Sequence, residues 1–426
     1  MRTVAPDVAE TAVPGTTQGR RPMLLLLAAV TFAAAVPVLP GRLLLVDFVC
    51  IAALPLLAPT LLNSRKLGVL VLVTAGWGLG LLVADIANGT GPRLSQHLIA
   101  LLGTLALTAA LVRLSDHDPV RLRLFVAALA LGLALAGLTV GATGPTSAAF
   151  PDGQPVTAAH LWKYELSEPV SIAALALCDI RWRAGRRLPA FVTLTVITAL
   201  NLICDFRSFA VVTLCTLLLA VIASTRRIRL RPATVLALGG IPCLLLIVGF
   251  FSAARAGWLG ERSMLQFRDE SADVWTVMAN GRPEGLQALY LISERPYGWG
   301  SKPDLDSITF ARSLTFISDH HVEIFENLPK DWLAKENPGV AAHSTALDTV
   351  LQAGLLALPF WAYLLFTGLR GAMTSIRTRA GPLMVFWTVA IIWDVLFEPL
   401  TYSTHVLFAG YLALVLLQTP TTEAGR

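Results

Sequence analysis

RLRLFVAALALGLALAGLTVGA, residues 121–142, decides the fold class of this chain. After Arg121 and Arg123 it carries no charge. A run of roughly 20 apolar residues is long enough to cross the hydrocarbon core of a bilayer as one helix. The pattern recurs on both sides, in about twelve runs. They lie at 22–39, 43–63, 67–87, 95–113, 121–142, 167–182, 188–204, 208–224, 232–253, 346–368, 382–397 and 400–418. The chain is 55% hydrophobic and only 14% charged, which excludes a soluble domain of 426 residues. The expected fold class is an all-α polytopic membrane protein.

The basic residues set the expected topology. Of the 33 Lys+Arg, twenty fall in segments that lie on one side if the N-terminus is cytoplasmic, four in the short loops opposite, and nine in one long loop. Cytoplasmic loops carry the excess of Lys and Arg, and long translocated loops are exempt from that bias. Both termini are therefore expected inside. The net charge of +5 follows from this asymmetry and does not point to nucleic acid. Residues 1–21 read as a disordered cytoplasmic tail, 22–253 as nine spans, 346–418 as three more, and 419–426 as a cytoplasmic tail. No convincing cleavage site follows the first run, which reads as an uncleaved anchor. Cys50, Cys178, Cys204, Cys215 and Cys243 all fall in apolar runs and read as small core residues. No disulfide framework or zinc spacing is present.

Residues 254–345 form the long extracytoplasmic loop, which holds 13 of the 28 acidic residues. A membrane protein that gathers its polar residues in one place usually works there. Pro283 suits a first helical turn, Leu286, Leu289, Tyr290 and Leu291 have helical spacing, and Pro296 with Gly298 and Gly300 ends the helix. A second helix is expected from about 319 to 327. Thr345-Ala-Leu-Asp348 fits a capping box opening the next span.

Arg282, just before Pro283, combines a guanidinium with a helix N-terminus, a natural phosphate or diphosphate site; taken alone it reads better as an ordinary loop arginine. Arg207, between two runs, is either an anion clamp or a snorkelling partner of Asp205. His343 precedes a helix N-terminus, which keeps imidazole neutral and fit to act as a base. Its plainer reading is a loop histidine bonded to its neighbours. His320-His321 point apart and have no third ligand, so no metal is expected. Asp394 and Glu398 share a helix face and either face the cavity or pair with an arginine such as Arg207. Asp47, Asp85 and Asp179 read as interfacial. Trp258, Trp275, Trp299 and Trp332 suit sugar stacking or the interfacial belt. Tyr290, Glu294, Trp299, Lys302, Asp394 and Glu398 are the candidate substrate-binding residues.

These motifs resemble the bacterial O-antigen ligase and polymerase family, polytopic enzymes with a GT-C-like fold. Gly281-Arg282 followed by Glu294-Arg295-Pro296-Tyr297-Gly298-Trp299-Gly300 is similar to the family's Gly-Arg, acidic residue, Pro and Gly-x-Gly turn. His343, Leu347 and Gln352-Ala353-Gly354-Leu355-Leu356 are similar to its His-Asn, Leu and Glu-x-Gly-Leu opening, and Arg207-Ser208 to its Ser-Arg-Gly/Ser turn. Ser344, Gln352-Ala353 and Phe206 depart from the usual Asn, acidic residue and Ser, which bears on the acceptor. The resemblance implies a metal-independent, cofactor-free glycosyl transfer on the outer face of the bacterial inner membrane. The donor would be an undecaprenyl-diphosphate-linked glycan and the acceptor a glycan or glycolipid. Arg207 and Arg282 would hold the diphosphate, and His343 would activate the acceptor hydroxyl. A transporter or flippase of lipid-linked glycans is the alternative. It would place ionisable residues at mid-membrane and show a repeat, and the sequence has no repeat.

Overall fold

The structure is a computed structural model, describing residues 20–39, 43–91, 96–140, 157–204, 206–224, 248–249, 252, 256–257, 283–303, 305–319, 344–378, 381–397 and 404–418. The expected span 232–253 lies almost wholly outside these residues. So do residues 1–19 of the first tail, the whole of the last tail, all but Asp319 of the helix expected over 319–327, Asp205, Cys243, Arg282, His320, His321, His343 and Glu398, along with Trp258, Trp275 and Trp332.

The fold is nearly all helical over the described residues, at 87%. Its first half comprises α1 (Arg20–Ala35), α2 (Leu45–Ala52), α3 (Leu54–Asn63), α4 (Arg65–Ala87), α5 (Gln96–Ser115) and α6 (Pro119–Val140). A short α7 (Ala158–Leu161) and a π turn at Trp162–Leu166 lead into α8 (Ser167–Arg183), α9 (Leu188–Ile203) and α10 (Arg207–Ser224). The polar region contributes α11 (Pro283–Glu294) and α12 (Ser307–Asp319). Then come α13 (Thr345–Ala353), a 3₁₀ turn at Gly354–Ala357, α14 (Leu358–Thr378), α15 (Pro382–Phe397) and α16 (Thr404–Gln418).

Among the described residues, four helices are long and apolar enough to cross a membrane: Arg65–Ala87, His97–Ser115, Pro119–Thr139 and Thr345–Thr374. The pair Leu45–Ala52 and Leu54–Leu62, bent by 69°, makes a fifth if counted as one span. The bend interrupts the run expected as one helix over 43–63. Pro55 has no N–H for the preceding turn and its ring crowds it, so the helix restarts at Leu54. The first run also stops early. Pro37 ends α1, and Pro37–Leu39 (β1) pairs antiparallel with Leu43–Leu44 (β2). The perimeter is apolar, with Leu24, Phe32, Leu72, Leu188, Ile203 and Phe366 all more than 60% exposed. Helices apolar on the outside as well as the inside are matched to lipid.

Inside the bundle, small residues let helices close up, as lipid-embedded bundles require. A Cβ on Gly132 of α6 would lie 2.6 Å from the Cβ of Ala34 in α1. Trp77 of α4 sits 5.0 Å from Phe360 and 5.6 Å from Trp361 of α14, and Trp361 meets Phe408 of α16 at 5.9 Å. The Trp361 indole N–H donates to Thr349 Oγ1 at 2.6 Å, which fixes α13 to α14.

The expected interfacial placement of three aspartates is corrected. Asp47, Asp85 and Asp179 are all buried, at 0%, 1% and 1% exposure. Asp179 pairs with Arg123, itself 1% exposed. Asp47 meets His405 Nε2 at 2.9 Å and accepts the Leu44 N–H at 3.0 Å. Asp85 serves the polar region described next. Each carboxylate finds partners inside the protein, so none needs the headgroup layer.

Candidate functional site

Helix α11 of the polar region and α13, which opens the next span, start side by side. Pro283, with φ already suited to a first helical turn, opens α11. Ser344 caps α13, its hydroxyl accepting the Leu347 N–H at 3.3 Å. The cap is therefore Ser344, one residue before the expected Thr345. Thr345 is freed for another task, and its hydroxyl donates to the Asp394 carbonyl of α15 at 3.2 Å. The Ser344 hydroxyl also donates to the Val395 carbonyl at 3.0 Å. Gly285, in the first turn of α11, faces Leu347, in the first turn of α13, with 3.9 Å between a Cβ built there and the leucine methyl. Further along, Leu291, Trp299, Leu305 and Leu351 form one apolar cluster. The two helices are thus packed with their N-terminal ends together, presenting two positive dipole ends to one place. Arg282 and His343, outside the described residues, precede these two ends in sequence.

A clasp holds this pair to the bundle. The turn Arg295–Ser301 lies along residues 351–355 and bonds to them through the backbone. Trp299 N–H donates to Leu351 O at 2.8 Å, Gly300 N–H to Gln352 O at 2.9 Å, and Leu355 N–H to Pro296 O at 2.9 Å. The approach needs glycine at two facing positions. Gly298 has φ +97° and Gly354 φ +68°. A Cβ on Gly354 would collide with the carbonyls of Pro296 and Tyr297, and one on Gly298 with the Gln352 carbonyl and the Gly354 nitrogen. Gly354 also ends α13 and starts the 3₁₀ turn, which breaks the run expected as a plain helix from 346.

Side chains from α4 complete the clasp. Asp85 accepts the Ser301 N–H at 2.6 Å and its hydroxyl at 2.7 Å. Asn88 donates to Gly298 O at 3.1 Å and accepts from the Arg295 guanidinium at 2.5 Å. Arg295 stacks over the Trp299 ring, 3.9 Å from its centre. On α5, His97 Nε2 meets the Gln352 amide at 2.8 Å, while His97 Nδ1 and Gln352 Oε1 are buried with no hydrogen-bond partner among the described residues.

No family model, curated protein or solved structure matches this chain. The site is therefore argued from its own geometry.

The candidate residues separate clearly. Trp299 is 3% exposed and its indole donates to Leu291 O at 2.9 Å. Its ring is inside the clasp, so it neither stacks on a sugar from solvent nor joins an interfacial belt. Glu294 and Lys302 are exposed at the two ends of the clasp. Tyr290 is half-buried with its ring 5.2 Å from Phe316 of α12. Partial burial, with the neighbouring Glu294 carboxylate, lifts its phenol above the ordinary value. Asp394 is buried at 3% exposure beside the N-terminus of α13. Arg207 opens α10 half-buried, and that helix is fastened to α15 by Phe209 edge-on to Phe386 at 5.8 Å.

Asn88, His97 and Ser301 carry no role in the sequence reading, which gave Asp85 only an interfacial placement and Gln352 only a place in a motif. Asn88 three residues after Asp85 at the end of a span is the one local signal; their partners lie more than 200 residues away. The helix expected over 319–327 lies, beyond Asp319, outside the described residues, and helix α12 was also missed. Its signal is local: Asp306 accepts the Thr309 N–H at 2.8 Å and its hydroxyl at 2.9 Å, and these bonds hold the carboxyl below its ordinary value.

Proposed function

We propose that this protein is a glycosyltransferase of the extracytoplasmic face of the bacterial inner membrane, with about twelve spans and both termini in the cytoplasm. In this reading it transfers a glycan from an undecaprenyl diphosphate to a hydroxyl of a glycan or glycolipid acceptor, as an O-antigen ligase or polymerase does. The single observation that carries it is the pairing of the α11 and α13 N-termini, with Gly285 against Leu347. Arg282 and His343 immediately precede those two ends. A diphosphate seated there meets backbone N–H groups, two helix dipoles and a guanidinium together.

The steps follow from the charge. Arg282, with Arg207, neutralises the diphosphate as the anomeric C–O bond breaks and the electron pair leaves with the phosphate oxygen. His343, kept neutral by the α13 dipole, takes the proton of the acceptor hydroxyl as its oxygen attacks the opposite face of the anomeric carbon. The configuration inverts. The proton then passes from His343 to solvent or to the departing diphosphate. Arg295 takes no part in this scheme, because Asn88 and Trp299 already hold its guanidinium.

The carrier reading has one observation in its favour. Arg123–Asp179 and Asp47–His405 are buried ionisable pairs within the bundle. Each pair is held by one contact, while Arg123 Nη2, Asp179 Oδ1 and His405 Nδ1 are buried with no hydrogen-bond partner among the described residues. What favours the transferase reading is that Arg282 and His343 precede the two paired helix ends in sequence.

The test is transfer by purified protein in vesicles, with donor lipid from its host and a metal chelator present. Arg282→Ala and Arg207→Ala are expected to lower the rate about 10²–10³-fold, and His343→Ala about 10²–10⁴-fold. Full activity in all three variants would remove the proposed centre.

A further inference from the structure

At the opposite end of α4, a cavity of about 460 Å³ opens between α4, α14, α15 and α16. Its rim is basic. Arg65 and Lys66, the first two residues of α4, face Arg370 of α14 across it, and no lining residue among those described is acidic. Ser64 caps α4 by accepting the Leu67 N–H at 3.5 Å, so the positive end of a 23-residue helix adds to the three cations. The Tyr363 hydroxyl donates to Lys66 O at 3.2 Å and holds the start of α4 against α14, so the rim is built into the packing.

The walls are the reverse of the rim. Val69 and Phe366 line the side of the cavity and are themselves 39% and 63% exposed on the apolar perimeter. The floor is closed by Gly371, where an added Cβ would come within 3.1 Å of the Met384 methyl. A cationic mouth over an apolar, laterally open wall matches a ligand with an anionic head and a hydrocarbon tail. A small anion would leave the apolar wall wet, and a neutral lipid would bring no charge to the basic rim.

We propose that this cavity binds an anionic glycerophospholipid. Its headgroup phosphate lies between Arg65, Lys66 and Arg370, and its acyl chains run along Val69 and Phe366. By the distribution of Lys and Arg, this end of the bundle faces the cytoplasm, so the lipid comes from the inner leaflet. The bound lipid ties α4 to α14. The site is separate from the paired helix ends proposed for glycosyl transfer and does not depend on that activity.

The experiment is native mass spectrometry of the delipidated full-length protein released from detergent. It is offered phosphatidylglycerol, phosphatidylcholine of the same acyl chains, undecaprenyl phosphate, or inorganic phosphate. The expected result is one phosphatidylglycerol retained, with phosphatidylcholine retained at least about fivefold less. Retention should fall roughly fivefold for each of Arg65→Gln, Lys66→Gln and Arg370→Gln, as expected for one charge near a lipid headgroup. Arg370 is exposed, so Arg370→Gln keeps the test open should Lys66→Gln fail to fold. Phe366→Ala, equally exposed, should weaken lipid retention without touching the charge. Equal retention of the two phospholipids overturns the proposal, as does unchanged retention in Arg370→Gln. Displacement of phosphatidylglycerol by millimolar inorganic phosphate would make this a free-anion site, and preference for undecaprenyl phosphate would replace the phospholipid by a polyprenyl lipid.

Discussion

Single residues decide two things in this molecule, how charge is kept in an apolar bundle and how closely two segments approach. Arg123 and Asp179 are each 1% exposed and partner one another. Removing one leaves the other charged and buried, which costs about 3–5 kcal/mol. Asp179→Ala is therefore expected to lower the detergent melting temperature sharply. The double change to Arg123→Leu with Asp179→Leu should recover most of the loss, because no orphan charge remains. A single variant as stable as wild type would contradict the pairing. At the clasp, Gly354→Ala forces an L side chain into φ +68°, ψ −168°, a region held essentially by glycine, at about 1–3 kcal/mol before any collision is counted. The collision with the Pro296–Tyr297 carbonyls adds to it. The readout is hydrogen exchange at Trp299 and Gly300, whose N–H groups bond to residues 351 and 352. Their protection should fall in the variant, and unchanged protection would mean the clasp does not rest on Gly354.

Among elements, α13 is the one on which the site turns. Its cap does two jobs, since the Ser344 hydroxyl accepts from Leu347 N–H and donates to Val395 O. Alanine removes both, at about 1 kcal/mol for the cap alone. Aspartate restores acceptance but has no proton to donate when ionised. Ser344→Asp should therefore rescue thermal stability only in part, with Ser344→Thr close to wild type. Full rescue by aspartate would show that the bond to α15 contributes nothing. The same helix shows what the sequence makes legible. A capping pattern near residue 345 is visible, but Ser344 and Thr345 are both good caps, and the bond from Thr345 to Asp394 O that settles the choice is a tertiary one. Helix α12 was readable from Asp306 and Thr309 alone, because an N-cap is local.

Across the whole molecule, the apolar runs give the class of fold, because length and hydrophobicity act within a segment. They do not give its interruptions. The 69° bend before α3 and the break at Gly354 fall in runs that read as continuous. Buried carboxylates are illegible for the opposite reason. Asp47 and His405 are 358 residues apart, and nothing near Asp47 in sequence announces its partner. The two glycine motifs were visible as strings, and what the strings could not say is that they dock on one another. The polar region and the bundle are joined through that clasp, so the paired helix ends are held against the membrane-embedded part, where a lipid-linked donor would arrive.

The most direct measurement follows one donor lipid in proteoliposomes and asks whether a new glycosidic bond forms or the lipid crosses the bilayer. Radiolabelled glycan on undecaprenyl diphosphate is offered on the side of the polar loop together with acceptor. Product size and lipid sidedness are read from the same sample. The transferase account predicts a longer or transferred glycan, released undecaprenyl diphosphate, and no protein-dependent crossing. Protein-dependent crossing of intact donor with no new bond would contradict it and leave the bundle as a carrier.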